Sequence, residues 1–174
     1  MRQRAIFTAS TLVLTLLLGA VCLAQHSKKG VDLSKTVVIL PFEGNIKGAT
    51  GLPEATRTAI IQQMKDDGVF AAVLTPEEAK DKDKTTLVEI TGRLVDFAPG
   101  NAASRLLVGF GSGRAHAGFE FAVKDSSTGD IVWKKTIKQT ASFWFNSTTS
   151  SAAERAELPD GLAKKLIQEL KKEK

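Results

Sequence analysis

The residues with the most chemistry to offer lie between Asn101 and Asp125, where Gly109, Gly111 and Gly113 punctuate the run GFGSG and Arg105 and Arg114 flank it. Glycines at this spacing could cradle a phosphate with backbone N–H groups, and the two arginines could clamp an anion or a lipid headgroup. A phosphate cradle needs a strand before the glycines and a helix after them. The following segment, AHAGFEFAV, alternates like a strand, so a hairpin or bulged crossing where backbones approach closely is the better expectation. The plainer reading of Arg105 and Arg114 is pairing with Asp96 or Asp125, or exposure to solvent.

Other reactive types are scattered. His116 is the one histidine inside a structured segment, and His26 lies near the amino terminus, too few for a zinc site. Ser112 lies in GFGSG, which lacks the order of a nucleophile elbow. The neighbouring carboxylates Glu77 with Glu78 and Asp66 with Asp67 would point in different directions from a helix and could not converge on one bond. Phe143, Trp144 and Phe145 form the one aromatic cluster that could touch a membrane or a partner, although packing of at least one ring in the core is the commoner use. These residues carry no catalytic motif and no cofactor motif, and they point to a protein that is not an enzyme.

The amino terminus has the layout of an export signal over residues 1–24: basic Arg2 and Arg4, an apolar run from Leu12 to Leu23, and small residues before Gln25. That run is shorter than the ~20 residues of a spanning helix, and no later stretch is apolar enough to cross a bilayer. The single cysteine, Cys22, raises lipidation as the alternative. The bulky Val21 directly before it departs from the small residue a lipoprotein signal carries there, so cleavage after Ala24 fits better. The mature chain would then hold no cysteine, which excludes a disulfide framework and a thiol nucleophile. Export to the periplasm or cell surface is expected, with anchoring through Cys22 as the alternative.

The formal charge is +5, of which Arg2 and Arg4 contribute two, leaving +3 on the mature chain. A mild basic balance mixed with Asp and Glu suits a solvated surface better than a nucleic-acid footprint. Hydrophobic content of 43% and charged content of 25% in 174 residues suit one globular domain.

After a polar lead over residues 25–35, a single α+β domain is expected over 36–174, with a mainly antiparallel sheet and helices at roughly 53–67 and 160–172 packed on one face. TVVILPF is a continuous apolar run, the mark of a strand buried on both faces. A helix with Ala55, Ala59, Ile60 and Met64 at helical spacing follows Pro53 and stops at Gly68. Phe70 to Leu74 is a short strand candidate, and Thr75 is placed to cap a turn before a charged connection. TLVEITGRLVDF alternates Val88, Ile90 and Leu94 against Glu89, Thr91 and Arg93, with Gly92 permitting a bulge or close approach. Arg105 to Phe110 and Ala115 to Lys124 read as strands, DSSTGD as a hairpin turn, and IVWKKTIKQ as the partner strand with Ile131, Trp133 and Ile137 on one side. The Ser/Thr/Ala-rich passage from Ser142 to Gly161 reads as a connection, ending in a helix striped by Leu162, Leu166, Ile167 and Leu170.

The central pattern resembles the bacterial exported family known as domain of unknown function 4410. The resemblance rests on Gly100 and Asn101, then Arg105, then Gly109, Phe110, Gly111 and Gly113, then a strand ending in Asp125 and a turn with Thr128 and Gly129. It implies fold and compartment, and it assigns no activity. Many members of that family look like lipoproteins, from which Val21 before Cys22 departs. The expected role is therefore a non-enzymatic envelope protein that binds or assembles with an envelope protein or membrane component, with no nucleic acid as partner. The alternative is a small-molecule or anion binder built on Arg105, Arg114 and the glycine backbone.

Overall fold

A computed structural model describes residues 30–101, 113–142 and 151–173. The chain runs β1 (Thr36–Ile39), α1 (Leu52–Asp67), β2 (Ala72–Leu74), a 3-10 turn (Lys84–Thr86), β3 (Leu87–Pro99), β4 (Ala115–Asp125), β5 (Ile131–Thr140) and α2 (Ser151–Lys171). The strands make one five-stranded sheet in the order β2-β1-β3-β4-β5. The class is α+β as expected, but the sheet is mixed. β1 pairs parallel with both β2 and β3, and the β3-β4-β5 meander is antiparallel.

The reason lies in the connections. A parallel neighbour requires a crossover, and α1 supplies it between β1 and β2. β1 therefore sits inside the sheet, and Val37, Val38 and Ile39 are all buried, as an unbroken apolar run demands. Gly68 closes α1 in a left-handed conformation that an L side chain rarely adopts, and Val69 N donates to Met64 O at 3.3 Å. The buried stripe of α1 is Leu52, Thr56, Ile60 and Met64, so Ala55 lies outside the core rather than in it. Thr75 forms the expected cap in reciprocal form, with Thr75 N donating to Glu78 Oε2 at 2.7 Å and Glu78 N to Thr75 Oγ1 at 3.4 Å.

Both helices cover the same face of the sheet: α2 packs on β3, β4 and β5, and α1 packs on α2, β2 and β3. Beneath them lies an aromatic cluster. Phe119 and Phe121 stack at 5.6 Å, and Phe42 meets Phe121 edge-on at 5.7 Å. Gly92 makes room for this, because a Cβ there would stand 2.9 Å from the Phe42 ring. The close approach foreseen at Gly92 is therefore to an aromatic ring.

Two expectations are corrected. Helix α2 starts at Ser151 rather than near 160, and Pro159 lies inside it. Proline removes one N–H and crowds the preceding turn, which is why Leu-Pro-Asp-Gly reads as a helix start. The chain stays helical because Leu158 and Leu162 are both fully buried on the core side, and Glu157 accepts from Ser142 N at 3.2 Å and Ser142 Oγ at 2.6 Å. Ile131 does not share a face with Trp133 and Ile137. A bulge between Val123 and Lys124 shifts the register, leaving Ile131 half exposed while Trp133 is buried.

Candidate functional site

The β3–β4 ladder runs out to the pair Pro99 and Ala115, and Asn101 N donates to Gly113 O at 2.7 Å just beyond it. Asn101 and Gly113 thus extend the β3–β4 pairing by one further hydrogen bond. Gly113 adopts φ 72, the left-handed turn that swings the chain into β4. β5 reaches the same end of the sheet, where His116 pairs with Thr140 and Ala141 N donates to Ala115 O at 2.9 Å. Here Pro99, Gly100, Asn101, Gly113, Arg114, His116 and Thr140 line an open groove of about 650 Å³.

The sequence-predicted site residues divide accordingly. Gly113 and Arg114 line this groove. Arg105, Gly109, Gly111, Ser112 and Trp144, with Phe143 and Phe145, lie outside the described residues, as does Cys22. The element after the glycines is β4, so the helix N-terminus that a phosphate cradle requires does not follow Gly113. Asp125, one of the carboxylates considered for the arginines, meets Lys35 Nζ at 2.8 Å, and Asp96 meets Lys138 Nζ at 3.0 Å.

Asp96 opens onto a feature that the sequence did not reveal. The face of the meander opposite the helices carries cross-strand ion pairs. His116 Nε2 stands 3.6 Å from Asp96 Oδ1, while Arg93 and Lys134 reach Glu120 at 2.9 and 3.1 Å. Asp96 is on β3 and Lys138 on β5, so their contact passes over β4 at Gly118. A Cβ at Gly118 would lie 3.1 Å from Asp96 Cβ and 3.4 Å from Lys138 Cγ, so the absence of a side chain opens the way. Hydrogen bonding from Lys138, reinforced by its charge and by His116, holds the Asp96 carboxyl below its usual range. Lys134 first, and Arg93 second, do the same for Glu120. These exposed pairs are electrostatic surface rather than a reaction centre. The signal for them was cross-strand register, which sequence alternation does not supply.

Chemically, the groove brings a guanidinium, an imidazole and a hydroxyl to one rim, a set able to hold a small anion. Among the described residues no group of three His, Cys, Asp or Glu side chains is gathered for a metal, and no helix is long and apolar enough to cross a membrane.

The profile of the family described as Domain of unknown function (DUF4410) matches residues 43–144. Comparison with curated proteins finds no match. Among solved structures, the chain is similar to PelC from Paraburkholderia phytofirmans, described as a dodecamer, at 14% identity and TM-score 0.52, covering 76% of this chain and 89% of that one. It is also similar to a Xanthomonas campestris protein assigned to DUF330, at 12% identity and TM-score 0.53, covering 79% of this chain and 81% of that one. At these identities the likeness is one of fold.

Proposed function

We propose, for a chain that belongs to the family Domain of unknown function (DUF4410), the role of a non-enzymatic exported envelope protein acting as a binding or assembly module through its β3-β4-β5 meander. The observation that carries this reading is the one-sided packing of the sheet. Both helices lie on one face, and among the described residues no element packs on the other face of the meander or pairs with its terminal strand. Export is supported by the signal-peptide layout of residues 1–24, and assembly by the description of PelC, on a like fold, as a dodecamer. The partner is an envelope protein or membrane component.

The test is crosslinking in the native envelope followed by capture of this chain. A specific crosslinked partner, or crosslinked copies of the chain itself, is the expected outcome; recovery of neither counts against the role. Intact-mass measurement of the mature protein distinguishes Gln25 from an acylated Cys22 as its first residue.

A second reading is favoured by the groove that Gly113, Arg114 and His116 line: binding of a small anion there. A melting-temperature rise with a nucleotide or an anionic headgroup, lost in Arg114→Ala, would promote this reading over the first. An Arg114→Ala protein that stays folded yet loses its crosslinked partner would instead strengthen the interaction role.

A further inference from the structure

β5 ends the sheet, so one side of its backbone has no neighbouring strand among the described residues. Which groups face outward follows from the ladder. Ala141 N donates to Ala115 O, making that pair a hydrogen-bonded one. Antiparallel pairs alternate in type along a strand, so the pairs Thr140/His116, Lys138/Gly118, Thr136/Glu120 and Lys134/Ala122 are of the other kind. The N–H and C=O groups of Lys134, Thr136, Lys138 and Thr140 therefore point away from β4. Two side chains already answer this edge: Lys165 Nζ donates to Lys138 O at 2.7 Å and Gln139 Nε2 to Thr140 O at 2.9 Å. The edge offers acceptors that side-chain donors fill in place of a strand.

Among the described residues, the ion pairs beside this edge carry one sign in excess. Glu120 is shared by Arg93 and Lys134, Glu169 by Lys135 and Lys172, and Asp96 holds Lys138, while Lys165 rests on a neutral carbonyl. Five cations thus share three carboxylates, and Lys165 adds a sixth positive charge with no carboxylate among these. The lysines are also the more exposed partners, with the Lys138 side chain 66% exposed against 36% for Asp96. Lys134 and Lys138 lie on the same face of β5, four residues and roughly 13 Å apart. That spacing matches acidic residues four positions apart on one face of an added strand.

We propose that β5 is a docking edge whose occupant is an extended, acidic segment of a partner polypeptide, joining the sheet as a further strand. Its backbone N–H groups take over the carbonyls now held by Lys165 and Gln139, and its carboxylates meet Lys134 and Lys138. β2, the opposite edge, has three residues and offers too short a ladder for this. The proposal rests on the binding-module reading and names the partner class for it.

The probes are synthetic peptides of about nine residues, the length of an ordinary strand: one alternating Val and Glu, its Val/Lys counterpart, and the Val/Glu peptide N-methylated at alternate amides. The variant is Thr136→Pro. It removes only an outward N–H, and proline is accepted at that kind of position on an edge strand. Binding is read by fluorescence anisotropy at low salt. The Val/Glu peptide is expected to bind saturably, and to lose at least about tenfold in affinity when N-methylated, when met by Thr136→Pro, or when replaced by the Val/Lys peptide. Absence of Val/Glu binding overturns the proposal. So does equal binding by the N-methylated peptide, which would mean charge attraction without strand addition; that arm uses the unaltered protein and stands even if Thr136→Pro fails to fold. If the peptide arm fails but an envelope crosslink persists, the edge proposal falls and the broader role remains; failure of both removes both.

Discussion

The two faces of the meander are made from the same three strands and alternate residue by residue, yet they do different work. On the inner face Phe119, Phe121, Val123, Trp133 and Ile137 are buried under α2. On the outer face Arg93, Glu120, Lys134, Asp96 and Lys138 form ion pairs at 2.9 to 3.1 Å. Apolar burial of a large side chain is worth roughly 1.5–3 kcal/mol, whereas exposed pairs contribute little because water and salt screen them. The difference teaches that stability is concentrated on one side of the sheet. The other side can vary in charge and serve recognition at small cost to the fold.

The largest expected effect breaks the inner face. Phe121 is fully buried, stacked on Phe119 and touched edge-on by Phe42. Phe121→Ala should destabilise by about 3–5 kcal/mol, read from the urea midpoint. A loss below about 1 kcal/mol would mean that the aromatic cluster repacks and that the inner face is not where stability resides.

Much of the inner face was legible beforehand, because burial on one side writes a period of two into the chain. Val88, Ile90 and Leu94 alternate against polar neighbours and all three are buried, as are Phe119, Phe121 and Val123 within the alternating run AHAGFEFAV. The misreadings have local causes. Ile131 follows the alternation but sits beyond a bulge, and bulges leave no fixed mark in composition. Pro159 reads as a helix boundary on backbone grounds, while tertiary burial of Leu158 and Leu162 carries the helix through it. The parallel placement of β1 depends on which strands meet, a long-range fact. The candidate groove was half legible: the glycine turn at Gly113 and the cation Arg114 stood out, but Thr140 and His116 join them only through register.

A middle effect tests the join between the faces. Asp125 starts the β4–β5 turn, accepting from Ser127 N at 2.9 Å and Thr128 N at 3.3 Å, and Lys35 Nζ lies 2.8 Å away. Lys35 first, then Ser127, hold its carboxyl well below the usual carboxylate range. A depressed folded value means the contribution is fully present above the unfolded pKa, near 3.9, and is lost as pH falls through the folded one. Lys35→Met should therefore lower the melting temperature at pH 7, with the gap to the unaltered protein narrowing as pH drops below about 4. A gap that stays constant down to pH 2 would assign the effect to lost packing of the lysine stem rather than to this ion pair.

The smallest effect sharpens the contrast most, because it asks for nearly nothing. Lys134→Met combined with Lys138→Met removes two exposed cations from Glu120 and Asp96 while keeping aliphatic bulk on β5. The urea midpoint should stay within replicate error, since Glu120 retains Arg93 and Asp96 retains His116, and both carboxylates remain reachable by water. If the same double variant also left capture of the envelope partner unchanged, the outer face would be inert in both stability and recognition. Loss of capture at constant stability would place recognition on the face that the fold does not need.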